Sequence, residues 1–172
     1  LFRTEFLFLN RDNLPDEDEQ FEAYRNVVRE MDGLPVTIRT YDLGADKQTN
    51  DAVTTAQNPA LGLRAIRLSL SEPPMFLAQL RALLRAARHG SLRIMFPFVS
   101  GVEQLRAARR LVSEAAADLR DRGLEVPDVP VGVMLSGGVD SSTIAAVARQ
   151  NNREVSSFCV GAVQDGQPDL EI

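Results

Sequence analysis

The chain has 172 residues with a formal net charge of −5, 44% apolar and 25% charged residues. That is enough chain for one medium domain with a real core, in the proportions of an ordinary globular protein. The acidic balance excludes a general nucleic-acid binder, which needs a basic excess, and no apolar run reaches the ~18 residues of a membrane span.

Leu1–Leu9 is a short apolar segment interrupted by Arg3, Thr4 and Glu5, as expected of a strand end running into a functional loop. Leu14-Pro-Asp-Glu-Asp-Glu19 starts a helix, with proline early and acids in the first turn where the dipole favours them. Phe21, Tyr24, Val27, Val28 and Met31 recur at helical spacing, and Gly33 stops the run. Leu34–Thr40 is a β-branched strand leading into Arg39 and Asp42, and 43–58 reads as a long polar loop. Asn58-Pro-Ala-Leu-Gly62 opens a helical turn that carries Arg64 and Arg67.

Glu72-Pro-Pro74 opens a stronger helix, with Phe76, Leu77, Leu80, Leu83, Leu84 and Ala87 on one face and Gly90 as its stop. Leu92–Phe98 is a strand. Ser100 and Glu103 form a capping box for the next helix, whose stripe runs from Val102 through Leu119 to Gly123. Pro130–Leu135 is an apolar strand, Asp140–Gln150 a helix and Val155–Val160 a last strand, and the polar tail 164–172 is left without structure. Between the last two strands lies Ser136-Gly-Gly-Val-Asp-Ser-Ser142, a strand–loop–helix of the kind that holds phosphate through backbone N–H groups, hydroxyls and a helix N-terminus.

Strands and helices alternate throughout, which predicts an α/β chain on about five parallel strands. A closed (β/α)8 barrel takes eight strands and about 250 residues, so the expectation is a partial barrel that this chain alone does not close. Its open sheet edges would favour self-association. Starting in mid-segment at Leu1, the chain reads as a fragment. One cysteine, Cys159, allows no internal disulfide and no cysteine metal cluster, and a cytoplasmic setting is the default expectation.

Residues 1–134 resemble the phosphoenolpyruvate-binding barrel of enzyme I of the bacterial sugar phosphotransferase system. The resemblance rests on Leu1-Phe-Arg-Thr-Glu-Phe-Leu-Phe8, Ile38-Arg-Thr-Tyr-Asp-Leu-Gly-Ala-Asp-Lys47, Asn58-Pro-Ala-Leu-Gly-Leu-Arg-Ala-Ile-Arg67 and Leu92-Arg-Ile-Met-Phe-Pro97, in that order. It implies a TIM-type barrel, phosphoenolpyruvate as substrate, magnesium as cofactor and a phosphocarrier protein as partner. It further implies that Arg3 and Arg39 contact the substrate and that Arg64 lines the same site. Arginine suits a small anion with a phosphate and a carboxylate, because its planar fork donates two parallel hydrogen bonds. The alternative is that these are surface arginines in ion pairs.

The resemblance also marks departures. Ser136 stands where the family has a magnesium-binding glutamate, and Val163 and Gln164 align with its Asn-Asp pair. Cys159 does not match the family's proton-donating cysteine, and His89, near a helix C-terminus, has no catalytic partner. No residue is therefore assigned a catalytic role, and the chain is not expected to complete phosphoryl transfer alone.

Residues 128–172 resemble instead the ATP pyrophosphatase segment of asparagine synthetase, on Val129-Pro-Val-Gly-Val-Met-Leu-Ser-Gly-Gly-Val-Asp-Ser-Ser142 and Ser157-Phe-Cys-Val-Gly161. That implies ATP held by Ser136, Gly137, Gly138, Ser141 and Ser142, with Leu135 and Val160 flanking adenine and Asp140 near a magnesium ion. Two resemblances meeting in one strand imply a hybrid. Further alternatives are an ATP-binding amidotransferase fragment and a non-catalytic α/β module.

Overall fold

The computed structural model describes residues 1–9, 13–42, 63–127, 131–135, 146, 156–159, 163–164 and 167–168. Five parallel strands, β1 (Phe2–Arg3), β2 (Val36–Arg39), β3 (Leu92–Met95), β4 (Val131–Leu135) and β5 (Ser156–Cys159), lie side by side in chain order. Each new strand joins next to its predecessor, so right-handed crossovers carry the helices to one side of the sheet. This single winding belongs to barrels; a doubly wound sheet reverses its strand order. Among the described residues the sheet is unclosed, as expected.

Among the described residues, four α-helices cover that side: α1 (Glu17–Glu30), α2 (Ala65–Ser71), α3 (Pro73–Ala86) and α4 (Val102–Asp121). The α1 start follows from its chemistry, since Asp16 caps the helix by accepting the Glu19 N–H at 2.8 Å. α3 begins with proline in its first turn. Their apolar faces meet the sheet in one core, with Tyr24 and Val28 from α1, Phe76, Leu80 and Leu83 from α3, and Ala115 and Leu119 from α4. The strands contribute Val36, Ile38, Leu92 and Ile94, which alternate with Thr37, Arg39 and Arg93 as a half-buried sheet requires.

Several expectations need correction. The strand read as Leu92–Phe98 ends at Met95, and Phe98 sits in a turn with φ 65°. The capping box is displaced by one residue: Gly101 is the N-cap of α4, and Gln104, not Glu103, reaches back to the Ser100 N–H at 2.9 Å. Glu103 pairs instead with Arg106 at 2.5 Å. The tail is not wholly irregular, since β6 (Val163–Gln164) and β7 (Gln167–Pro168) pair antiparallel. The long loop 43–58 and the opening turn 58–62 lie outside the described residues. So does the helix 140–150, apart from Ala146, which is helical.

Gly90 is also more than a stop. Its backbone is extended (φ 164°), so no left-handed turn requires glycine there. A Cβ at that position would come within 2.8 Å of Val28 Cγ1 on α1.

Candidate functional site

Arg3 and Arg39 are the last residues of β1 and β2, and they are direct partners in the parallel register. Arg39 is in turn level with Met95 on β3. Residues level across a parallel sheet share a face, so both arginines stand on one face, at the C-terminal strand ends where barrel sites are built. Arg64 arrives by a different route, as the N-cap residue of α2.

Two acids organise two of these arginines. Arg39 Nη2 donates to Glu5 Oε1, and its Nη1 lies 3.6 Å from Asp42 Oδ2. Arg64 donates to Asp42 Oδ1 from Nε at 3.2 Å and from Nη2 at 2.9 Å. Asp42 therefore bridges both arginines, with its side chain only 7% exposed. The guanidinium of Arg64 also lies over the Phe98 ring, 4.8 Å from its centroid. Arg3 is exposed.

The alternative of arginines in ion pairs is thus true of Arg39 and Arg64. Arg39 keeps its place at the end of β2 and Arg64 at the start of α2. Glu5 keeps Oε2 buried without a partner, and Arg39 Nε is in the same condition. Three arginines against two carboxylates leave one net positive charge.

The backbone around Arg64 is conformationally costly. Ala65 (φ 50°) and Phe98 (φ 65°) both adopt the left-handed region, which non-glycine residues seldom enter. One follows Arg64 directly, and the other supplies the ring beneath it. Such conformations cost on the order of 1 kcal/mol or more each and gather at ligand sites.

Burial raises the pKa values of Tyr24 and Tyr41, so both hydroxyls stay protonated. His89 lies away from this site, in the short turn that precedes β3, with Arg29 Nη2 at 3.5 Å from its Nδ1. Its pKa is lowered, first by desolvation and then by Arg29, Arg25 and Arg88.

The described residues do not fit a magnesium ion. A hard cation needs several oxygen donors, and no group of three or more His, Cys, Asp or Glu among the described residues is placed to hold a metal. Glu5 and Asp42, the nearest acids, are each engaged by arginine.

Of the second candidate set, Leu135 ends β4 and is level with Cys159 on β5. Ser136, Gly137, Gly138, Asp140, Ser141, Ser142 and Val160 lie outside the described residues. Val163 and Gln164 fall in the small hairpin rather than at a parallel strand end. Sequence reasoning missed Glu5 and Phe98. A carboxylate two residues after a strand-end arginine was the available signal for Glu5, while Phe98 was read as part of a strand. Among the described residues, no helix is long and apolar enough to cross a membrane.

The family described as PEP-utilising enzyme, PEP-binding domain, matches residues 1–165. The chain is 54% identical over 140 residues to the phosphoenolpyruvate-protein phosphotransferase of Cupriavidus necator, covering 78% of this chain and 24% of that protein. It is 45% identical over 163 residues to that of Staphylococcus carnosus, covering 94% of this chain and 28% of the relative. It is 44% identical over 165 residues to that of Streptococcus equinus, with the same coverage. The chain thus spans about a quarter of the length of these curated relatives. The family match runs on through residue 165, across the segment assigned by resemblance to asparagine synthetase, and that second resemblance gains no support from the comparisons.

Proposed function

Because this chain belongs to the PEP-binding domain family of PEP-utilising enzymes, we propose that it forms the phosphoenolpyruvate-binding part of an enzyme I-type phosphotransferase. Its five strands are part of a (β/α)8 barrel, and Arg3, Arg39 and Arg64 form its anion site. The observation that carries this reading is the in-register placement of Arg3 and Arg39 at adjacent strand ends, with Arg64 tied to the same acid as Arg39.

Phosphoenolpyruvate carries two anionic groups on a small skeleton. Two guanidinium forks on neighbouring strands match a phosphate and a carboxylate better than one could. Glu5 and Asp42 hold the forks in place before ligand arrives, which limits the ordering cost of binding. They also keep the site from being strongly positive, so recognition depends on geometry more than on bulk attraction. The reaction class is phosphoryl transfer from phosphoenolpyruvate to a protein, with a phosphocarrier protein as acceptor. This chain's contribution is to bind and orient the donor. The arginines stabilise charge on the oxygens of the moving phosphoryl group, the usual protein contribution to such transfers.

Isothermal titration with phosphoenolpyruvate tests the reading. The chain should bind it, and Arg39→Ala should weaken binding at least tenfold, the loss expected when a charge-assisted contact worth about 1.5–3 kcal/mol is removed. Binding unchanged by Arg39→Ala would remove the arginine site from the account.

A further inference from the structure

We infer that Gln79, on the helical layer behind the sheet, is the positioning residue that fixes both arginine-bearing strand ends. This rests on the reading of Arg3 and Arg39 as the anion site. Gln79 is nearly fully buried in the middle of α3. Its Oε1 accepts the Tyr41 backbone N–H at 3.0 Å, two residues past Arg39. Its Nε2 donates to the Thr4 hydroxyl at 3.4 Å, one residue past Arg3, and to the Tyr24 hydroxyl at 3.1 Å. One side chain therefore holds the exits of two neighbouring strands, immediately beyond the residues that face the ligand.

The polarity of this chain of bonds is fixed at both ends. The Tyr41 N–H can only donate, so the amide oxygen of Gln79 must face it and its nitrogen must face Thr4 and Tyr24. At the other end Gln20 Nε2 donates to the Pro15 carbonyl at 2.9 Å, which can only accept. The Gln20 oxygen is then left to accept from Tyr24 at 3.1 Å. Tyr24 accepts from Gln79 and donates to Gln20, which requires the protonated hydroxyl that burial enforces. Every bond has a single allowed direction, so the network has one low-energy arrangement and transmits no slack to the strand ends.

Gln20 provides the internal control. It is as buried as Gln79 and belongs to the same network, yet its hydrogen bonds go to Pro15 and Tyr24 rather than to Thr4 or Tyr41. The test compares Gln79→Met with Gln20→Met in the full chain by two readouts. In amide hydrogen exchange, Tyr41 protection should fall about tenfold more in Gln79→Met than in Gln20→Met after correction for global stability, the share of one buried hydrogen bond. In titration, the dissociation constant for phosphoenolpyruvate should rise about tenfold in Gln79→Met and less than twofold in Gln20→Met. Equal Tyr41 protection in the two variants overturns the role of Gln79 whether or not the ligand binds. A selective loss of protection in a parent chain that does not bind phosphoenolpyruvate upholds the clamp and overturns the ligand reading alone. Selective loss of protection with equal affinities shows that the clamp does not position the arginines, and so overturns the inference.

Discussion

Arg64 illustrates how much a single side chain draws from distant parts of the chain. Its fork meets Asp42, its flat face lies on Phe98, and the residue that follows it holds a left-handed backbone. The ring contributes an attraction of about 0.5–1 kcal/mol at an exposed site such as this one. Phe98→Leu should therefore weaken phosphoenolpyruvate binding about two- to fivefold, by the same measure, while thermal stability stays nearly unchanged. Titration beside a thermal melt separates the two, and an equal loss in both would mean that Phe98 acts only as packing. The strand-end placement of Arg3 and Arg39 was legible, since both follow apolar strand stretches. Their partners were not. Glu5 and Arg39 are 34 positions apart, and Phe98 depends on a turn that the apolar run Leu92–Phe98 conceals. Pairings across such separations are set by strand register, which local spacing does not encode.

At the scale of elements, the helices and strands were readable because each carries its own period. Tyr24 and Val28, or Leu80, Leu83 and Leu84, recur at helical spacing and are buried in the structure. Ends were less readable. The acid-rich start of α1 was legible because Asp16 caps its own helix through a local bond. The start of α4 was misjudged by one residue because either Glu103 or Gln104 could reach back to Ser100, and it is Gln104 that does so while Glu103 pairs with Arg106. Gly90 shows a reason that no periodicity contains, because the turn between α3 and β3 passes against Val28 on α1. Gly90→Ala should cost about 1–2 kcal/mol, the penalty of overpacking a filled space, although alanine accepts an extended backbone. Chemical denaturation would show this as a lower midpoint with an unchanged slope. An unshifted midpoint would mean that Val28 moves aside freely.

For the whole molecule, the helical layer is tied across its outer surface as well as through its core. Glu17 on α1 meets Arg81 at 2.5 Å and Arg85 at 2.9 Å on α3, while Asp118 on α4 meets Arg81 at 3.1 Å. Those helices support the sheet, and the sheet places Arg3 and Arg39 level with each other. An α/β architecture on parallel strands was legible in the alternation of elements, and so was an unclosed sheet. The reading of the segment after residue 128 as part of a different enzyme was not sustained, because a short glycine- and serine-rich loop is weak beside a family match over residues 1–165. The central claim is that two neighbouring strand ends grip one small ligand with two anionic groups, and a double-mutant cycle on Arg3 and Arg39 tests it most directly. Phosphoenolpyruvate affinities of the parent chain, Arg3→Ala, Arg39→Ala and the double variant should show a coupling of about 1 kcal/mol or more, as for residues that share a partner. Losses that add within about 0.3 kcal/mol would contradict it, because independent sites behave that way.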